Sequence, residues 1–331
     1  DPRKLALERL VVPDANGNQR NTIFPLQVGF QRYGQSGIEI SDWFPHIARQ
    51  ADRLAIIRSM WTTDSNHGAQ TQFHSGRHMN DGDHPTLGAW VHYGLGSENE
   101  TLPAYVVLGD PGGLPVDGER NWSSGFLPAV YQGTPFRSGA SPVFNLQTPA
   151  QIPAQGRANQ LAFLREANAL HAARFPENTE LTARIANFET AARMQSAVPE
   201  ALDLSGESAA TRKLYGLDNP ATEEYGRRCL IARRLVERGV RFVQLFLSGQ
   251  PWDTHDKNAE RLKGLCQRTD QPSAALVKDL KSRGLLDSTV VLWTGEFGRL
   301  PVSQGKDGRD HNRHAFSAIM AGGGFRRAAN P

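Results

Sequence analysis

The stretch from residue 223 to residue 321 most constrains the fold. An amphipathic helical pattern over 223–238 gives way to the apolar run VRFVQLFL at 240–247. A second helical pattern over 258–283 leads to two more apolar runs, TVVLWT at 289–294 and FSAIMA at 316–321. Short apolar runs separated by helical periodicity are strands joined by covering helices, and near-continuous apolar strands belong to a parallel sheet covered on both faces. The pattern predicts an α/β fold. Gly239 closes the first helix as a C-cap glycine, Gly284 stops the second, and Pro272 predicts a break inside it.

The chemistry sits beside these runs. After Leu247 comes SGQPWDTHDKN, carrying Asp253, His255, Asp256 and Asn258; after Thr294 comes GEFGR, carrying Glu296 and Arg299. Before Phe316 comes GRDHNRH, with Arg309, Asp310, His311 and His314. In open α/β sheets ligands bind beyond the carboxyl ends of the strands. A fourth cluster lies upstream: Leu54-Ala55-Ile56-Ile57 reads as a buried strand, followed at once by Thr62, Thr63, Asp64, Ser65, Asn66 and His67 and by a short helix. A turn at a helix N-terminus favours an anion and can activate a hydroxyl, although Asp64 or Ser65 in such a turn also serves as an ordinary cap. Carboxylates and imidazoles without thiolates are the donors of a catalytic rather than a structural metal site. Singly, Asp253 reads as a helix cap, Glu296 as a partner of Arg299 and His311 as a buried, hydrogen-bonded histidine; together at one sheet edge they favour a metal-dependent site.

The remainder bounds the function. With 331 residues and 39% hydrophobic content the chain can form one large α/β domain or two smaller ones. A net charge of +3, with Lys and Arg spread along the chain, leaves no basic stripe for nucleic acid. Cys229 and Cys266 lack ligand spacing and fall in helical patterns, so they read as buried thiols and a disulfide scaffold is excluded. No run reaches membrane-spanning length, and with neither an initiating Met nor a signal peptide the chain reads as starting part-way into a protein. Residues 1–21 are polar and turn-rich, and 37–48 lead through a capped short helix towards Leu54. His74, His78 and His84 read as polar lining residues; a short helix follows near 87–93 and a strand at 104–108. The Gly-, Pro- and Ser-rich stretch 109–153 is too long for a connector and reads as a substrate-side cover. A helical hairpin with a break at Pro176 covers 157–197, its apolar stripe serving as core or docking face, and a polar linker spans 199–220.

The motifs SMWTTDSNH with HSGR, RRLVERGVRFVQ, WDTHDKN, LDSTVVLWTGEFGR and GRDHNRHAFSAIMAGGG, taken in order, resemble a bacterial family catalogued as domain of unknown function 1501. That family looks like a sulfatase-like branch of the alkaline-phosphatase and sulfatase superfamily. The resemblance implies one alkaline-phosphatase-like domain over 1–331, cut at both ends. It would be a three-layer sandwich with a mostly parallel central sheet and an insertion at 110–220 made of the loop cover and the helical hairpin. Thr63 would attack phosphorus, Asn66 would hold a non-bridging oxygen and His67 would complete the motif, with Thr62 and Ser65 as competing hydroxyls. Asp253, His255 and His311 would hold one metal and Glu296 another; Phe297 stands where a metal-binding His is expected, and a further ligand Asp would precede Asp1. Arg77, Arg299 or Arg309 would face the anion, and Asp64, Asp256, Asp310 and His314 are additional candidates. No Cys or Ser lies in the C/S-x-P-S-R context of formylglycine sulfatases. The implied activity is hydrolysis of phosphate or sulfate esters with one or two divalent ions, zinc first and manganese or calcium as alternatives. The implied substrate is a small anionic ester or anionic glycan, and the implied location is exported, periplasmic. A non-catalytic binding or assembly protein and a phosphomutase-type isomerase are the other readings.

Overall fold

The apolar runs of the sequence assemble into two three-stranded sheets with a pair of long helices shared between them. In the computed structural model the described residues are 12–13, 19–20, 26–137, 143, 151–302 and 307–325. The calls made for the rest of 1–25, for 138–142, 144–150 and 303–306, and for 326–331 lie outside them.

The chain opens with two ladders, β1 (Val12–Pro13) with β2 (Gln19–Arg20) and β3 (Phe30–Tyr33) with β4 (Ile38–Ser41), followed by α1 (Pro45–Ala48). Then come β5 (Leu54–Met60), α2 (Ala69–Ser75), α3 (Leu87–Leu95), β6 (Tyr105–Leu108) and β7 (Thr134–Phe136). The hairpin is α4 (Ala154–Arg174) and α5 (Thr179–Leu202), and α6 (Ala209–Leu214) lies in the predicted linker. The last part is α7 (Glu223–Glu237), β8 (Phe242–Leu245), α8 (Asn258–Ser282), β9 (Val290–Thr294), β10 (Gly298–Arg299), β11 (His311–Asn312) and β12 (Phe316–Gly322).

One sheet is parallel, in the order β7-β6-β8, with Val106 opposite both Thr134 and Val243. The other, β5-β12-β9, is antiparallel, with Ile319 opposite Ile56 and Trp293. The predicted α/β character therefore holds as a mixed α/β fold, but β9 and β12 do not join the parallel sheet. The reason is local: after β9 the chain turns back through the short antiparallel β10–β11 ladder, and an antiparallel return needs no crossover helix. The described residues also do not cover this sheet on both faces. Val290 and Leu292 of β9 are exposed, and of the run read as a buried strand only Leu54 is buried, while Ile57 is exposed. β7 is a second revision, because the stretch read as a loop cover supplies a strand of the parallel sheet.

Two helices couple the sheets. Ala232 and Leu235 of α7 pack on Val106, Leu108 and Phe136 together with Met194, Val198 and Ala201 of α5. Ala274, Val277 and Leu280 of α8 pack on Leu54, Ala321 and the β4–α1 segment. Cys229 and Cys266 are buried and free, and burial pushes both thiols up to about 12. α8 runs unbroken through Pro272. The missing N–H costs one hydrogen bond, and the proline itself is buried along with Ala274 and Ala275 on the same helix. No helix among the described residues is long and apolar enough to cross a membrane.

The predicted cap of α1 comes from elsewhere in the chain. Phe44 at the N-cap position offers no side-chain acceptor. Asp270 of α8 instead accepts from the His46 and Ile47 N–H groups at 2.8 and 2.7 Å. Asp270→Ala strands both donors in a buried setting and is expected to lower unfolding stability by about 2 kcal/mol. Urea denaturation measures it, and a loss below about 0.5 kcal/mol would show that α1 does not depend on this cap.

Candidate metal centre

Because β12 runs antiparallel to β5 and β9, its amino end shares an edge with their carboxyl ends. His67, Glu296 and His311 hang from that edge, and Asp253 and His255 reach it from the end of β8.

The turn after β5 is built by its own polar side chains. Asp64 accepts from the Asn66 N–H at 2.8 Å and Asn66 accepts from the His67 N–H at 2.9 Å, which shapes the entry into α2. The Thr62 N–H donates to the Arg313 carbonyl at 2.8 Å, tying this turn to the loop before β12. Thr62 and Thr63 hydroxyls both donate to the Gln72 side-chain carbonyl, at 2.8 and 2.9 Å; Thr62 is buried and Thr63 exposed.

His67 is buried between two carboxylates, with Nε2 3.2 Å from Asp253 Oδ2 and Nδ1 3.1 Å from Glu296 Oε1. Burial works to lower its pKa, but the bonds and charges of the two carboxylates outweigh that and raise it to about 9. Burial works in the opposite sense on the carboxylates. Bonds from His311, His67 and Arg299 hold Asp253 well below the usual carboxylate range, and His67 lowers Glu296. Arg299 bonds Asp253 rather than Glu296, and its guanidinium lies 5.2 Å from the centre of the Phe297 ring.

The two remaining imidazoles define the centre. His311 Nδ1 lies 2.8 Å from the Ser65 carbonyl, and His255 Nδ1 lies 3.2 Å from Asp310 Oδ1. Carbonyl and carboxylate oxygens only accept, so each ring donates from Nδ1 and turns its Nε2 inward. Those two Nε2 atoms are 3.1 Å apart, and both lie against Asp253 Oδ1, at 3.0 Å from His311 and 3.1 Å from His255. Two imidazole nitrogens and a carboxylate oxygen that also accepts from Arg299 converge here, a donor set that a cation can engage. The spacing fits: nitrogen and oxygen ligands 2.0–2.1 Å from a tetrahedral zinc lie roughly 3.3 Å apart. His67, Asp253 and His311 offer ligand atoms all within 4.8 Å of one another and can hold a metal ion. His255, its side chain 45% exposed, stands at the mouth of this group.

Phe297, placed where a ligand was expected, has no donor atom. Its buried ring lies 4.4 Å from the His311 ring and 5.4 Å from that of His67, walling the centre and lowering the local dielectric.

Of the residues singled out in the sequence, Asp253, His255, Glu296 and His311 converge, with Arg299 and Asp310 beside them. His67, assigned with the Thr63 motif, lies inside the centre itself. Thr63 and Asn66 are exposed on the turn. Asp253 does not cap α8, which begins five residues later at Asn258. Asp256 pairs with Arg261 at 2.8 Å on the surface, and His314 is exposed. Arg77 is exposed beyond Gly76, whose φ of 71° turns the chain away after α2, and its carbonyl accepts from Ser75. Arg309 donates its N–H to the Thr254 carbonyl. His74 contacts Gln244, His78 lies 3.4 Å from Asp64, and His84 approaches the Asp81 carbonyl, so none belongs to the metal-ligand group. Sequence reasoning missed Gln72, Arg313 and Gly308. Gln72 sits on a plain helical stretch, Arg313 donates to the Thr63 carbonyl at 3.0 Å across 250 residues, and Gly308 matters through a backbone contact that no motif announces.

No curated protein and no solved structure matches the chain significantly. The sequence profile of the family described as "Protein of unknown function (DUF1501)" matches residues 3–329, nearly the whole chain. By that match the chain belongs to the DUF1501 family.

Proposed function

We propose that the chain is a metal-dependent hydrolase of phosphate or sulfate esters, using Thr63 as nucleophile on an alkaline-phosphatase-like three-layer α/β scaffold. One observation carries this reading: the Nε2 atoms of His255 and His311 converging on Asp253 Oδ1 beside the Thr63 turn. His67, Asp253, His255 and His311 are the residues that would hold the ion. A nitrogen-rich donor set of this kind suits zinc, accepts manganese and is poor for calcium. Bound there, a divalent ion supplies Lewis acidity and lowers the pKa of a nearby hydroxyl.

The residues of the chain then divide the work. Gln72 holds the Thr63 hydroxyl, Arg313 sits on the Thr63 carbonyl with most of its five N–H donors left for an anionic group, and Phe297 excludes water on the inner side. A bond forms from Thr63 Oγ1 to phosphorus, the bond from phosphorus to the alcohol oxygen breaks, and water later releases phosphate from Thr63. The proton lost from the hydroxyl leaves to solvent and the departing alkoxide takes one from water. Small anionic esters and anionic glycans are the substrate class, and export follows from the same resemblance.

Thr63→Ala, loaded with zinc or manganese, is expected to lose aryl phosphate and aryl sulfate hydrolysis by on the order of 10³-fold with bound metal unchanged. Undiminished turnover removes Thr63 as nucleophile. The Phe297 wall supports a second reading, a non-catalytic binding or assembly protein. Tight metal binding by the unaltered protein with no turnover of any aryl ester would favour it.

A further inference from the structure

We infer that Asp310 is a positioning residue, which sets the affinity of the centre by fixing the ring of His255. This rests on the metal-centre reading above. His255 is the most exposed of the imidazoles at the centre, and packing does little to hold it. Its orientation is set by the hydrogen bond from Nδ1 to Asp310 Oδ1 at 3.2 Å. With that bond made, Nε2 points at Asp253 and His311; without it the ring turns about its outer torsion, and either nitrogen or the solvent can take the inner position.

Asp310 is suited to the task because its backbone is fixed. It is 1% exposed, its N–H donates to the Val302 carbonyl at 3.2 Å, and its carbonyl accepts from the Leu300 N–H at 2.8 Å. The loop on its amino side is fastened to the segment that carries His255. The Arg309 N–H donates to the Thr254 carbonyl at 2.9 Å, and the Asp307 side chain and carbonyl accept from the Lys257 and Asn258 N–H groups at 2.9 and 3.1 Å. One dipeptide, Asp310-His311, thus delivers a donor to the centre and orients a second donor that comes from another sheet. Carboxylates behind metal-binding histidines shift metal affinity by about 10- to 100-fold.

The test is a Co²⁺ titration of the full chain, followed by visible absorption and calorimetry. Asp310→Ala is expected to weaken Co²⁺ binding roughly 10- to 100-fold. Asp310→Asn keeps a carbonyl oxygen as acceptor and is expected to stay within about threefold of the unaltered protein. In a His255→Ala background Asp310→Ala is expected to add nothing, because the residue it acts through is gone. Should Asp310→Ala unfold the chain, nitrogen-15 NMR of the unaltered protein decides: His255 protonated on Nδ1 supports the assignment, and protonation on Nε2 overturns it. Equal affinities for Asp310→Ala and the unaltered protein overturn it too, as does an undiminished Asp310→Ala effect in the His255→Ala background. Failure of the unaltered protein to bind Co²⁺ at all overturns the metal centre, and the role of Asp310 with it.

Discussion

Asp253→Ala is expected to abolish metal binding, weakening it by more than about 10³-fold, and to destabilise the fold by about 3 kcal/mol. Asp253 is the one carboxylate that meets His67, His311, His255 and Arg299. Removing it leaves a guanidinium and three imidazoles around a space, with Glu296 beside His67 and Asp310 beside His255 as the remaining close counter-charges. Breaking a largely buried ionic group by removing one partner costs more than the group contributes intact, because the stranded charges cannot regain water. Asp253→Asn separates the two effects. It keeps the shape and should recover most of the stability, while losing the charge that attracts a divalent ion. Calorimetric zinc titration and urea denaturation of both variants measure this. Zinc bound by Asp253→Ala as tightly as by the unaltered chain would rule out the assigned centre.

Gly308→Ala, which removes no donor side chain, is also expected to act strongly. A methyl group at Gly308 would fall against the carbonyl of His255, well inside contact distance, and 2.7 Å from the Asp256 nitrogen. Both are backbone atoms, so no rotamer relieves the clash and the two segments must separate. The segments are those joined by the Arg309–Thr254 and Asp307–Asn258 bonds, one carrying Asp310 and His311 and the other Asp253 and His255. A loss of about 2–4 kcal/mol in stability is expected, together with a 10- to 100-fold loss in zinc affinity, although every donor remains in the sequence. Thermal unfolding and zinc titration check both figures. An unchanged affinity would mean that the donors do not rely on this close approach.

What the sequence made legible follows from what local patterns can carry. The runs at 240–247 and 289–294 could be read as strands because they are apolar, short and flanked by helical periodicity. Asp253, Glu296 and His311 could be grouped because each adjoins such a run. Direction was not legible: six apolar residues at 316–321 announce a strand but do not say that it runs against its neighbours. Neither was inward-facing charge. Arg233 of α7 is buried with Glu207, Glu237 and Asp279 around it, partners that only the tertiary fold supplies. The cap that Asp270 gives to α1, 223 and 224 residues away, is hidden for the same reason. His67 was read with Thr63 because they are neighbours in the chain, but His67 is buried among the centre's carboxylates, whereas Thr63 is exposed on the turn and bonds Gln72.

The shared edge of the two sheets has a kinetic consequence. His67 follows β5 and His311 precedes β12 at the end of the antiparallel sheet, while Asp253 and His255 follow the end of the parallel one, so an ion held by all four would rivet the two together. With Phe297 against the inner side and His255 half-exposed at the outer one, such an ion would exchange past His255, so the hold on that ring would set how fast a chelator strips it.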